Sequence, residues 1–172
     1  DNYQCIAFDL PGHGQSRIPP GTSATDMAAT AKAVIEAWDS IGVARSSVVG
    51  YSMGGRLGLY LALAHGNRVE RAVLESISPG LATEAERDAR RKLDESLAAA
   101  LEDSPMEAFV RWWYEQPLFA TLKSDPVRFE RLVRARLHND LRGLAASLRT
   151  MGTGAQPSLW ERLGKNRVPL LL

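Results

Sequence analysis

The chain has 172 residues, 45% of them hydrophobic and 24% charged, with a formal net charge of +1. That is enough apolar material for a core and too little net charge for a disordered chain, and it lacks the positive excess with which nucleic-acid binders displace counterions. Cys5 is the only cysteine, which excludes a disulfide framework and a cysteine metal cage. The longest mid-chain apolar stretch, Leu57 to Ala64, is too short to span a bilayer.

Read in chain order, Tyr3 to Asp9 is a short apolar run stopped by Pro11-Gly12-His13-Gly14, and it predicts a strand followed by a loop that Pro19-Pro20-Gly21 extends. From about Ala24, the residues Met27, Ala31, Val34, Ile35, Trp38 and Ile41 recur at three- and four-residue spacing, which predicts a helix with Gly42 as its stop. Ser47 to Gly50 reads as a second strand. Met53 to His65 reads as a nearly uncharged, buried helix, and Val69 to Glu75 as a third strand. Strands alternating with helices imply an α/β fold: a mostly parallel sheet with helices on both faces.

The alternation stops after Pro79-Gly80. From Thr83 to about Thr150 the pattern is helical, broken at Ser104-Pro105, Gln116-Pro117 and Asp125-Pro126, and Thr83 with Glu86 makes a capping box for the first piece. A helical insertion between sheet strands is a natural lid. Gly152-Thr153-Gly154 closes it, Leu159 to Leu163 is a last short helix, and Val168 to Leu172 a strand. The expected organisation is a core over 1–81, a helical lid over 82–150 and a return to the core over 151–172. With strand-like residues at both ends and Asp1 as the first residue, the chain is expected to be the middle portion of a longer protein.

Gly50-Tyr51-Ser52-Met53-Gly54 fits G-x-S-x-G between a β-branched strand and a helix, the context in which that pattern forms a nucleophile elbow. The glycines permit a sharp turn that thrusts Ser52 out at the carboxyl edge of the sheet. The helix that follows aims amide N–H groups and its positive dipole end at the same place, so the Met53 N–H is one candidate oxyanion donor. A glycine-rich turn that only holds a buried helix against a strand would carry the same residues.

Asp9-Leu10-Pro11-Gly12-His13-Gly14-Gln15-Ser16, then this elbow, then a helical insertion, resembles the α/β-hydrolase superfamily. Within it, Gly50 to Arg56, Glu75 to Leu81, Trp113 to Phe119 and Met151 to Gln156 resemble the 2-succinyl-6-hydroxy-2,4-cyclohexadiene-1-carboxylate synthases of menaquinone biosynthesis, over the whole chain. The resemblance implies a cytoplasmic, cofactor-free lyase that removes a proton from a cyclic intermediate and expels its enolpyruvyl group as pyruvate. In it the triad serine acts as a base rather than an acylating nucleophile. The substrate it implies is a small polycarboxylate. No metal, nucleic acid, membrane insertion or protein partner is indicated.

A polycarboxylate calls for arginines, which grip carboxylates with two hydrogen bonds. Of 21 basic residues, 17 are arginines and 4 lysines. Arg56 lies one helical turn past Ser52, and Arg87, Arg90 and Arg91 fall at i, i+3 and i+4 on the first lid helix. Carried over by motif, Arg56, Arg90 and Arg136 match the carboxylate-binding arginines of those synthases, and Tyr51 and Trp113 match their pocket aromatics. The plainer readings are a salt-bridged face, with Glu86, Asp88 and Asp94 as partners, and tryptophans used for packing.

A basic serine needs a histidine and an orienting acid, which in this fold follow it in the order serine, acid, histidine. His13 belongs to the loop motif, and His65 ends the elbow helix far from the serine. Asp125 and His138 satisfy the order but fall within the helical insertion instead of on loops after strands. The acid, the histidine and the second oxyanion donor are therefore expected outside this chain, which by itself is expected to be inactive. The alternatives are a serine hydrolase of the same fold (esterase, thioesterase or carbon–carbon hydrolase) and a pseudo-hydrolase that binds a small acid.

Overall fold

The structure is a computed structural model, and it describes residues 3–18 and 26–172. Pro19-Pro20-Gly21 and the expected helix start at Ala24 lie outside the described residues. The chain forms two compact units, one of residues 1–24 with 95–148, the other of residues 25–94 with 149–172.

The second unit carries the sheet. Helix α1 (Met27–Ser40) starts at Asp26, whose side chain accepts from the Ala29 N–H, and ends where Gly42, at φ 73°, leaves the helix. Its buried stripe, Met27, Thr30, Ala31, Val34 and Trp38, follows the expected spacing, whereas Ile41 lies past the end and is exposed. Strand β1 (Ser46–Tyr51) leads to helix α2 (Met53–Ala64), which leads to β2 (Val69–Glu75). The strands pair in parallel, with Tyr51 opposite Glu75 at their carboxyl ends. A short β3 (Leu170–Leu171) adds to β2 in parallel, opposite Ala72 and Val73, so the order is β1-β2-β3.

Helix α2 explains why this part folds. It is apolar nearly all round, and it lies on β1 and β2 and against α1, burying Leu57, Leu59, Leu61 and Ala62. Gly58 sets the approach: a Cβ there would stand 2.7 Å from Leu74 and 3.1 Å from Val48.

Past β2 come helix α3 (Glu84–Asp103), α4 (Met106–Tyr114), a 3-10 helical stretch (Pro117–Ser124), α5 (Pro126–Arg136), α6 (Leu141–Met151) and α7 (Trp160–Leu163). The breaks fall at the predicted X-Pro pairs, where the residue before proline is pushed out of the helical region. A further break at 137–140, with no proline or glycine to announce it, separates α5 from α6. The capping box is present in full: Glu86 N–H donates to Thr83 Oγ1 at 3.2 Å and Thr83 N–H to Glu86 Oε2 at 2.9 Å.

The first unit has two apolar clusters. Ala98, Leu101 and Ala145 are ringed by Phe109, Leu141, Leu144 and Leu148. Val110 and Tyr114 of α4 meet Val133 of α5, with Trp113, Phe119 and Phe129 around them. Arg111 ties the same two helices by donating to both Glu130 oxygens, at 2.8 and 3.1 Å.

The expected strand over Tyr3 to Asp9 is not formed: these residues are irregular and exposed, and only the His13–Ser16 bridge in the loop after them pairs. An alternating apolar run becomes a strand only when a neighbour takes its N–H and C=O groups, and among the described residues none does. The closing strand likewise shortens from the expected 168–172 to the two residues that find partners on β2. Among the described residues no helix is long and apolar enough to cross a membrane.

The capping box generates a pH-dependent prediction. The Thr83 N–H and hydroxyl hold the Glu86 carboxyl below its ordinary value of 4.5. A depressed carboxyl stabilises the fold above its unfolded pKa, and that contribution is lost as pH falls through the folded one. Thr83→Ala should lower the melting temperature of the complete protein by about 2–4 °C near neutral pH. Melting curves should show the gap narrowing as pH falls below the ordinary carboxylate range, where the Glu86 carboxyl gains a proton.

Candidate active site

Ser52 is the hinge between β1 and α2, at φ 50° and ψ −114°, a backbone conformation that costs an L-residue on the order of 1 kcal/mol or more. It is pinned on both sides. Its N–H donates across the sheet to Glu75 O at 2.9 Å, and its own carbonyl accepts from the Arg56 N–H at 2.9 Å. The side chain makes no capping hydrogen bond, and the residue is exposed at the carboxyl edge of the sheet. The positive end of the α2 dipole therefore meets Ser52, with Met53 as the first helical residue.

Two glycines make this turn possible. A Cβ on Gly50 would lie 2.5 Å from Gly54 O, and one on Gly55 would lie 2.2 Å from the Ile77 side chain and 3.0 Å from Gly50 O. Gly54, the second glycine of the motif, has nothing within 4 Å of such a Cβ. Steric necessity therefore falls on Gly50 and Gly55, the latter one residue beyond G-x-S-x-G.

Arg56, one turn into α2, is buried. Its Nη1 donates to Met151 O at 2.8 Å and to Gln156 Oε1 at 3.1 Å. Gln156 is buried too, and its Nε2 donates to Ser78 O at 2.8 Å, so its amide orientation is fixed from both ends. Desolvation holds the Arg56 pKa below the ordinary arginine value; the Arg90 charge pushes it the same way, and the Asp94 charge opposes both.

Arg90 donates from Nε to Asp94 Oδ1 at 2.7 Å, and Asp94 Oδ2 accepts from the Gly154 N–H at 3.3 Å. Arg91 reaches Gly154 O at 3.2 Å and pairs with Glu84 and Asp88, while Arg87 pairs with Glu84. Arg87 and Arg91 thus form the salt-bridged face of the plainer reading. Glu86 is spent on the capping box and Asp94 on Arg90. The turn over 152–156, closed by Ala155 and Gln156 N–H bonds to Gly152 O, gathers both Arg56 and the Arg90–Asp94 pair.

Ser52, Met53, Tyr51, Arg56 and Arg90 thus share one unit, where Tyr51 is exposed at the end of β1. Trp113 and Arg136 belong to the other. Trp113 stacks on Phe109 at 6.2 Å and meets Phe119 at 6.0 Å, which is packing. Arg136 is exposed and donates from Nε to Tyr114 Oη at 3.2 Å. Sequence reasoning passed over Asp94 and Gln156 as site residues. The available signals were the i, i+4 spacing of Arg90 and Asp94 and the place of Gln156 at the end of the Met151–Gln156 motif.

The histidines keep their sequence-level places. His13 contacts Pro11 O through Nδ1 at 3.2 Å. His65 closes α2 at the end opposite Ser52, about 18 Å along a helix of 12 residues. Asp125 caps α5 by accepting from the Arg128 N–H at 3.0 Å, so its carboxylate has a structural task.

Residues 1–115 match the family described as alpha/beta hydrolase fold. Over 172 residues the chain is 35% identical to the 2-succinyl-6-hydroxy-2,4-cyclohexadiene-1-carboxylate synthase of Serratia proteamaculans, covering 99% of this chain and 65% of that protein. It is 37% identical over 167 residues to the Arabidopsis thaliana protein PHYLLO, chloroplastic, covering 93% of this chain and 10% of that protein. The solved structure of MenH from S. aureus superposes with a TM-score of 0.85 at 33% identity, covering 94% of this chain and 60% of that one. The chain thus spans just under two thirds of the bacterial synthase and a tenth of the chloroplast protein.

The elbow predicts opposite outcomes for its neighbouring glycines. Gly55→Ala should destabilise the complete protein by roughly 1–3 kcal/mol through overpacking. Gly54→Ala should be neutral or stabilising by about 0.5 kcal/mol, since it adds a better helix former in open space. Denaturant midpoints of the two variants check this; equal midpoints would contradict the steric assignment.

Proposed function

The chain belongs to the α/β-hydrolase family, and on that footing we propose that the whole protein is a cytoplasmic lyase of menaquinone biosynthesis. It eliminates pyruvate from 2-succinyl-5-enolpyruvyl-6-hydroxy-3-cyclohexene-1-carboxylate to give 2-succinyl-6-hydroxy-2,4-cyclohexadiene-1-carboxylate. The observation that carries this reading is a strained, exposed Ser52 in one unit with Arg56 and Arg90, whose charges interact. Likeness to the Serratia synthase over nearly the whole chain supports it.

The chemistry follows from substrate and product. The ring double bond between carbons 3 and 4 becomes two, at 2–3 and 4–5, so a hydrogen leaves carbon 2 and the oxygen substituent leaves carbon 5. The ketone of the succinyl group makes the carbon 2 hydrogen acidic. Ser52 Oγ takes that hydrogen as a proton, the electron pair moves through the ring, and the carbon–oxygen bond at carbon 5 breaks. The enolpyruvate released gains a proton and becomes pyruvate. Nothing is oxidised or reduced, so the step needs no electron carrier.

Each part of the site has a task in this scheme. The Met53 N–H at the head of α2 favours the negative charge that develops on the ketone oxygen. The three substrate carboxylates call for cationic partners, and Arg56 and Arg90, in the unit of Ser52, fill that role for two of them, with Tyr51 against the ring. Ser52 becomes basic when a histidine, oriented by an acid, takes its proton. His13 contacts Pro11 O, His65 lies at the far end of α2 and Asp125 caps α5, and this reading assigns neither these nor His138 to that pair.

The test is pyruvate release by the complete protein, followed through a coupled lactate dehydrogenase assay. Ser52→Ala should lower kcat by about 10³-fold or more. Arg90→Ala should cost about 2–4 kcal/mol in kcat/KM through loss of a carboxylate partner. Unchanged kinetics in Arg90→Ala would remove the carboxylate pocket from the account. Hydrolysis of aryl esters or thioesters without pyruvate release would replace the lyase by a hydrolase.

A further inference from the structure

Asp94 stands one turn past Arg90 on α3 and is only 3% exposed. A buried carboxylate persists where it is paired and its oxygens are hydrogen-bonded. Both oxygens of Asp94 are used, Oδ1 by Arg90 Nε and Oδ2 by the Gly154 N–H. Arg90 itself is more open, its side chain 37% exposed.

The way each arginine is held is informative. Among the described residues, Arg90 hydrogen-bonds through Nε alone, which leaves the Nη1–Nη2 edge as a two-nitrogen fork. Arg56 spends only Nη1, on Met151 O and Gln156 Oε1, which leaves its Nε–Nη2 edge. Each guanidinium is anchored by one nitrogen and keeps one edge that matches a carboxylate bidentately. Both anchors converge on the 152–156 turn. That turn has no slack against α3, since a Cβ on Gly154 would stand 2.6 Å from Arg91 N and 3.1 Å from Arg90 C.

We propose that Asp94 is a positioning residue for carboxylate binding, fixing the Arg90 guanidinium so that its fork is held at a set distance from the fork of Arg56. The inference rests on the lyase reading for the identity of its substrate, and on the geometry alone for its polycarboxylate class. Asp94 also offsets the repulsion between the two arginines: the Arg90 charge disfavours protonated Arg56 and the Asp94 charge favours it. Without Asp94 the two cations would have no shared counter-charge until a substrate carboxylate arrived, and Arg90 would be free to swing into solvent.

Four complete proteins test this in a double-mutant cycle: wild type, Asp94→Asn, Arg90→Ala and the pair combined. Asparagine keeps the size of the side chain and an acceptor for the Gly154 N–H. Asp94→Asn should raise KM about tenfold and leave kcat within about twofold, the pattern of lost ground-state positioning. In the Arg90→Ala background the same change should move KM by less than about twofold, because a residue that acts through Arg90 has nothing left to position. An equal rise in both backgrounds, or an unchanged KM, would overturn the proposal.

If Asp94→Asn fails to fold, Asp94→Glu serves. It keeps the charge but shifts it by one methylene, so it should raise KM only while Arg90 is present, and an unchanged KM overturns the proposal. Should the wild type release no pyruvate, the lyase reading fails separately. The same proteins then report through calorimetric binding of tricarballylate, a plain tricarboxylate. An Arg90-dependent loss of affinity supports the role of Asp94, and a wild type that binds none overturns it.

Discussion

The closeness of α2 to β1 is the constraint from which the rest of the site follows. Only because Gly50 and Gly55 carry no side chains can the helix begin one residue after the strand ends. That leaves Ser52 alone to reverse the chain, at a φ that other residues avoid. The strain is sustained because the Ser52 N–H is tied to β2 and its carbonyl to the first turn of α2, while α2 buries four apolar side chains. Burial of each of the three leucines among them is worth about 1.5–3 kcal/mol, so their sum exceeds the cost of one strained residue. A hydroxyl held at the head of a helix dipole is the chemical product of that geometry.

The second organising element is the 152–156 turn. Alone it would be an ordinary connection between α6 and α7, but it receives Arg56 from α2 and Asp94 from α3 and so fixes two cations with one anion among them. Such a cluster carries one net positive charge, and part of it is buried. Desolvation holds the Arg56 pKa below the ordinary arginine value, and a guanidinium is not deprotonated in proteins. A ligand that brings carboxylates into this region completes the charge balance, which is why a polycarboxylate suits it better than a neutral ester.

Much of this was legible in the residues. The period-3.6 stripe of α1, the boundaries of β2, the X-Pro breaks and the Thr83–Glu86 box were all readable because each depends on neighbours close in sequence. The elbow was readable for the same reason. Three things were not. Tyr3 to Asp9 has the composition of a strand, but a strand exists only with a ladder partner, and that is a property of the fold. The break at 137–140 has no proline or glycine to mark it. Asp94 and Gln156 looked like an ordinary i, i+4 ion pair and a turn residue. Their importance comes from contacts 60 and 100 residues away along the chain. Gly54 is the reverse case, a motif residue whose neighbourhood makes no demand on it.

The proposed chemistry turns on Ser52 removing a proton from carbon instead of attacking a carbonyl. Single-turnover pyruvate release by the complete protein, compared for substrate carrying hydrogen or deuterium at ring carbon 2, separates these possibilities. Proton abstraction at Ser52 predicts slower release from the deuterated substrate. Equal single-turnover rates, with Ser52 carrying an acyl group, would contradict it.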